Sequence, residues 1–91
     1  MRYVAHVEVS LKPGLLDPQG KAIEGSLPAL GWSNVSNVRV GKYVRLVVDA
    51  SDREAATAQI GDMSRRLLSN PVIEDAVIRE VVEDAMGNGR P

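Results

Sequence analysis

Tyr3, Ala5, Val7, Val9 and Leu11 alternate with Val4, His6, Glu8 and Ser10, which predicts a strand with one buried face. Lys12-Pro13-Gly14 ends it. A second alternating stretch fills the middle of the chain, from Val35 to Ala50. Val38 and Val40 alternate there with Asn37 and Arg39, and Val44, Leu46 and Val48 alternate with Tyr43, Arg45 and Val47. Two such runs predict a β-hairpin. A two-residue turn at Gly41-Lys42 would put Arg45 on the face of Val38, because a one-residue slip reverses every side chain. A three-residue turn, Gly41-Lys42-Tyr43, keeps the valines together, with Gly41 supplying the unusual backbone angle.

Between these strands, Asp17-Pro18-Gln19-Gly20 reads as a helix start, Asp17 capping and Pro18 in the first position. Ile23, Leu27 and Leu30 then share a face. Gly31 is the left-handed stop, with Trp32 turned back on Leu27 in a Schellman motif, and Pro28 should kink the last turn. After the hairpin, Ser51-Asp52-Arg53-Glu54 reads as a capping box. Its helix carries an Ala56, Ile60, Met63, Leu67 stripe, an Asp62–Arg66 pair and Arg65 and Arg66 in its last turn, and stops at Asn70-Pro71. Val72 to Val82 is rich in Val and Ile and reads as a final strand with apolar residues on both faces. The order is β-α-β-β-α-β in a single domain, residues 1–83, followed by a tail, 84–91, expected to be disordered. The simplest arrangement is an α+β fold, an antiparallel sheet with two helices on one face, the ferredoxin-like arrangement. Val4, Val35, Val47 and the spare valines of the last strand would then need a cover. A second copy of the chain, meeting the sheet side, is the simplest one.

Composition narrows the function. Ninety-one residues allow one thin core, burying roughly 60 to 70% of the extended-chain surface, and with no Phe, one Trp and two Tyr it must be aliphatic. Eleven basic against twelve acidic residues leave a net charge of −1, which argues against nucleic-acid binding. The absence of cysteine excludes disulfides and thiolate metal sites. With no long apolar run, signal-peptide pattern or internal repeat, the expectation is a soluble cytoplasmic protein.

Candidate chemistry is sparse. His6, the only histidine, sits mid-strand with Glu8 as the nearest carboxylate on its face, and a structural or interface role is favoured over a general base. Glu74-Asp75 and Glu83-Asp84 are adjacent in a strand, so each pair points to opposite faces and makes no dyad. One His without Cys offers little to a transition metal. Asp17 to Gly20 could meet an anion or a partner's carboxylate at a helix start, and a plain cap explains them equally. Gly41-Lys42 could face a phosphate, although one glycine is no phosphate loop. The residues alone describe a small binding or subunit module without an active site.

Three segments carry a resemblance. Leu16-Asp17-Pro18-Gln19-Gly20, Val38-Arg39-Val40-Gly41-Lys42-Tyr43 and Leu67-Leu68-Ser69-Asn70-Pro71-Val72-Ile73-Glu74-Asp75 resemble the signatures of the PurS family, the small subunit of three-protein phosphoribosylformylglycinamidine synthase. The likeness extends to about residue 83. Arg45, Pro28 and the Gly-Asn-Gly tail depart from the family pattern. The resemblance implies a homodimer, or a tetramer, that bridges the synthetase PurL and the glutaminase PurQ in de novo purine synthesis without catalysing anything. It implies no cofactor on this chain, with ATP, Mg and glutamine used by the partners. It also makes Asp17, Pro18, Gln19, Gly20, Arg39, Gly41, Lys42, Asn70, Glu74 and Asp75 candidates for the partner interface. The competing readings are a dimeric ferredoxin-like ligand sensor and a small enzyme using His6.

Overall fold

A computed structural model describes residues 1–84. The first alternating run becomes the central strand, β1 (Arg2–Leu11), of an antiparallel sheet ordered β2-β1-β3, with β2 at Gly41–Asp49 and β3 at Glu74–Glu83. Tyr3, Ala5 and Val7 stand opposite Val48, Leu46 and Val44, so the residues expected to share a face do so. α2 (Arg53–Met63) lies on that face, and Ala56 and Ile60 are fully buried against Ala5, Val7 and Val9. The antiparallel sheet and two helices of the expected α+β arrangement are therefore present. On the other face, where Val4, His6 and Glu8 point, Tyr43, Val77 and Val82 remain 59, 40 and 36% exposed.

The expected hairpin does not form. Residues 35–40 carry no strand, and the sheet described has three strands. Two amides that a ladder would have used are taken by carboxylates instead: Val38 N–H donates to Glu24 Oε1 (3.0 Å) and Val40 N–H to Asp17 Oδ2 (2.7 Å). Between residues 35 and 41 the positive φ belongs to Asn37 (58°), and Gly41 already lies in β2. Glycine is needed at 41 for closeness, since a Cβ there would lie 2.6 Å from the Val9 carbonyl oxygen.

The first helix, α1 (Pro18–Ser26), starts as expected, with Asp17 as its cap. Pro28 divides the stripe. α1 gives way to a 3-10 turn at Pro28–Leu30, closed by Gly31 at φ 105°. Trp32 N–H to Leu27 O (3.1 Å) and Gly31 N–H to Pro28 O (3.0 Å) complete the Schellman pair. The start of α2 differs from expectation: Asp52, one residue after Ser51, caps it by accepting from Ala55 N–H at 2.8 Å. Its end differs too. Ser64–Leu68 is a π-helical turn, which underwinds the helix and shifts the phase of the stripe, with Ser64 in the core and Leu67 83% exposed.

The irregular pattern of the last strand has a local cause. Val7 pairs with Ile78 and His6 with Glu80, so Arg79 is an extra residue, a β-bulge. Ala76 and Ile78 before it and Val81 after it all reach the core, while Val77 and Val82 face the other way. Asp84 continues the ladder through its N–H to Arg2 O at 2.7 Å. The rest of the expected tail lies outside the described residues.

Candidate partner-docking surface

The three signatures meet at one end of the sheet, where β1 finishes and β2 begins. Asp17 organises this end. Only 5% exposed, it accepts from Gly20 N–H at 2.9 Å through Oδ1 and from Val40 N–H at 2.7 Å through Oδ2. The Gly20 and Val40 amides, and then the Arg39 guanidinium, hold its carboxyl below the usual carboxylate range despite its burial. Gly20 is buried because the backbone of Val38 passes over it, and a Cβ there would lie 2.2 Å from Val38 O. Arg39 folds back and donates to the carbonyls of Leu15 (2.8 Å), Lys12 (3.2 Å) and Leu11 (3.4 Å). These contacts tie α1 to residues 38–40 and both to the end of β1.

Beside this brace is a cavity of about 350 Å³, lined by Asp17, Pro18, Gln19, Gly41, Lys42 and Glu74 over the end of β1. Residues from all three sequence segments thus share one hollow. Glu74 also accepts from Asn70 N–H (2.7 Å), and Asn70 Oδ1 accepts from Val72 N–H (3.2 Å), so these two shape the turn before β3. Asp75 pairs with Lys12 at 2.8 Å. The ten sequence candidates accordingly divide by what they touch. Asp17, Arg39 and Asn70 bond through their side chains to the chain's own backbone, Gly20 donates to Asp17 beneath Val38, and Glu74 and Asp75 are held by Asn70 and Lys12, whereas Pro18, Gln19, Gly41 and Lys42 stand exposed around the cavity.

Two contributors were missed by sequence reasoning. Glu24 caps the Val38 amide from the last turn of α1, and no local spacing signals a bond across fourteen residues. Lys12 holds Asp75 across sixty-three. His6 lies on the open sheet face, away from this cavity. It hydrogen-bonds the Tyr43 hydroxyl and stacks on that ring with centroids 5.5 Å apart, and its Nε2 is 3.6 Å from Glu80. Glu8, the carboxylate that the sequence places nearest on the face of His6, is bound to Arg79 at 3.0 Å. No group of three His, Cys, Asp or Glu side chains that could hold a metal ion occurs among the described residues.

The family described as "PurS: Phosphoribosylformylglycinamidine (FGAM) synthase" matches residues 4–82. The phosphoribosylformylglycinamidine synthase subunit PurS of Bacillus subtilis is 42% identical over 73 residues, covering 80% of this chain and 86% of that protein. The corresponding subunit of Mycobacterium leprae is 43% identical over 74 residues, covering 81% and 90%. Among solved structures, Thermus thermophilus PurS superposes with a TM-score of 0.81 at 41% identity, covering 91% of this chain and 98% of that one. A chain in the structure of PurLQS from Thermotoga maritima does so with 0.82 at 30% identity, covering 88% and 98%.

Proposed function

The chain belongs to the PurS family of phosphoribosylformylglycinamidine synthase subunits, and from that membership we propose that it is the bridging, non-catalytic member of such a complex. In this reading PurL performs the ATP-dependent amidation of formylglycinamide ribonucleotide with Mg. PurQ releases ammonia from glutamine, and this chain, as a homodimer in the cytoplasm, holds the two together. A relative with this fold is part of PurLQS, which supports the choice of partners. No described helix is long and apolar enough to cross a membrane.

The convergence of Gln19, Lys42 and Glu74 on one hollow carries the assignment of the docking surface. Asp17, Gly20 and Arg39 act as the frame that presents it, with Pro18 and Gly41 in its lining and Asp75, held by Lys12, next to Glu74. A purified chain should hydrolyse neither ATP nor glutamine. Mixed with synthetase and glutaminase it should support glutamine-dependent synthesis, and Gln19→Ala with Lys42→Ala should lose that support while ammonia-dependent synthesis by the synthetase continues. Both changes are at exposed positions, so folding should move by less than about 0.5 kcal/mol. Full glutamine-dependent activity with the double variant would remove the docking assignment. Failure of the parent chain to stimulate the mixture would remove the functional reading itself.

A further inference from the structure

Gly61, in the last turn of α2, is a glycine that the fold does not need. The helix runs on through the π-helical turn to Leu68, and glycine weakens a helix interior. No backbone passes close enough to demand it, since a Cβ at 61 would meet only Arg65 Nη1, at 3.4 Å, the far end of a flexible side chain. What the missing side chain leaves is space. A second cavity, about 480 Å³, lies between the end of α2 and the start of β3, with Gly61, Ser64 and Arg65 on one side and Glu74, Ala76 and Ile78 on the other. Ala76 and Ile78 turn toward the core here and stay half-buried. The π-helical turn is fixed beside it, because Ser69 N–H and Oγ both donate to Ser64 O, at 2.9 and 2.7 Å. Glu74 lines this cavity and the hollow beside Asp17 alike, so the two adjoin at the start of β3.

We propose that the two cavities form one groove, and that it takes an extended, carboxylate-bearing segment of a partner protein. The groove rests on the docking surface of the preceding reading and adds the half beyond Glu74, with Gly61 and Arg65 as its determinants. Shape favours a segment over a small molecule. Small-molecule sites enclose most of their ligand, whereas Gln19, Lys42, Arg65 and Pro71 stand exposed along this groove. Its floor is apolar in both halves, Leu11 and Val40 in the first and Ala76 and Ile78 in the second. Successive apolar hollows suit the alternate side chains of an extended peptide. Charge selects the carboxylate. Among the described residues the Lys42 ammonium has no hydrogen-bond or ion-pair partner. The Arg65 guanidinium reaches Asp62 only at 3.9 Å, and Arg66 holds the same carboxylate at 3.3 Å. The acids nearby are already engaged, Asp17 with amides, Glu74 with Asn70 N–H and Asp75 with Lys12. Two lightly held cations thus border the groove, one in each half, and complementary charge there fixes register as well as partner.

Gly61→Leu fills the second cavity from a position where the new side chain strengthens the helix, so its Tm should equal or exceed the parent's. Mixed with synthetase and glutaminase, this variant should need at least about tenfold more chain for half-maximal glutamine-dependent synthesis, and Gly61→Ala less than about threefold more. Arg65→Glu should weaken support as Gly61→Leu does, and added salt should weaken the parent more than it weakens Arg65→Glu. Parent-like support by Gly61→Leu and Arg65→Glu, with support lost in Gln19→Ala with Lys42→Ala, would overturn the extension and leave the first hollow as the docking site. Parent-like support by all three would remove both. Were Gly61→Leu unfolded, Arg65→Glu and its salt dependence decide alone. Altered sedimentation of Gly61→Leu without partners would give the groove to a second copy of the chain. A rise in the Tm of the isolated parent with glutamine or ATP, abolished by Gly61→Leu, would give it to a small ligand. Either result overturns the proposal.

Discussion

Alanine at Gly20 and alanine at Gly25 should move stability in opposite directions, although both glycines lie in α1 and both changes improve helix propensity. In an unobstructed helix such a replacement gains about 0.5–1 kcal/mol. Nothing lies within 4 Å of a Cβ at Gly25, so the full gain is expected there. At Gly20 the new carbon would sit 2.2 Å from Val38 O, 2.9 Å from Asp17 Oδ2 and 3.0 Å from Val38 C. The obstacle is mainly backbone and cannot rotate away, so α1 must draw off from residues 38–40. Overpacking of this kind costs about 1–3 kcal/mol, which leaves a net loss of up to about 2.5 kcal/mol after the propensity gain. The same withdrawal lengthens the Asp17–Val40 and Glu24–Val38 bonds, so amide exchange at Val38 and Val40 should accelerate in the Gly20→Ala protein alone. For a domain of this size 1 kcal/mol corresponds to about 4–8 °C in Tm. Thermal and urea melts at equal chain concentration are the assay, because any association would contribute to apparent stability. A Gly20→Ala protein as stable as the Gly25→Ala protein would refute the close passage of Val38 over α1 and the brace built on it.

Three further outcomes follow from single features of the fold. Asp17 has a depressed pKa when folded, so its stabilising share is present above the unfolded carboxylate value, near 4, and is lost as pH falls through the lower folded value; Asp17→Asn should flatten the acid limb of a stability–pH curve, and an unchanged limb would contradict that role. Deleting Arg79 should be tolerated, because Ile78 and Glu80 would become regular neighbours with Val81 still facing the core. The cost would be chiefly the exposed Glu8 ion pair, worth about 0–1 kcal/mol, whereas loss of cooperative unfolding would show that no bulge exists. Leu67→Gln should change stability by less than about 0.5 kcal/mol despite its place in the apolar stripe, since the π-helical turn leaves it exposed; a loss of several kcal/mol in urea melts would indicate an ordinary α-helical phase.

Features whose causes lie within a few residues were legible along the chain. β1 was legible because the central strand meets a buried face along its whole length, so Tyr3, Ala5, Val7 and Val9 had to alternate. The Asp17 cap and the Pro28–Gly31 stop were legible for the same local reason, backbone geometry set by adjacent side chains. The three signature segments were visible too, but not what they do. Alternation at Val38 and Val40 looked like a strand because the pattern records which residues turn inward, not which group takes each amide. Long-range folding settles that, by bringing Glu24 and Asp17 to those two N–H groups. The same holds for the bulge at Arg79 and the π-helical turn after Met63, each a one-residue change of phase that blurs periodicity without leaving a motif. The hollow at the end of β1 is the extreme case. Gln19, Lys42 and Glu74 are separated by more than twenty residues each, and their meeting depends on the sheet order β2-β1-β3, which long-range pairing selects and no local interaction encodes.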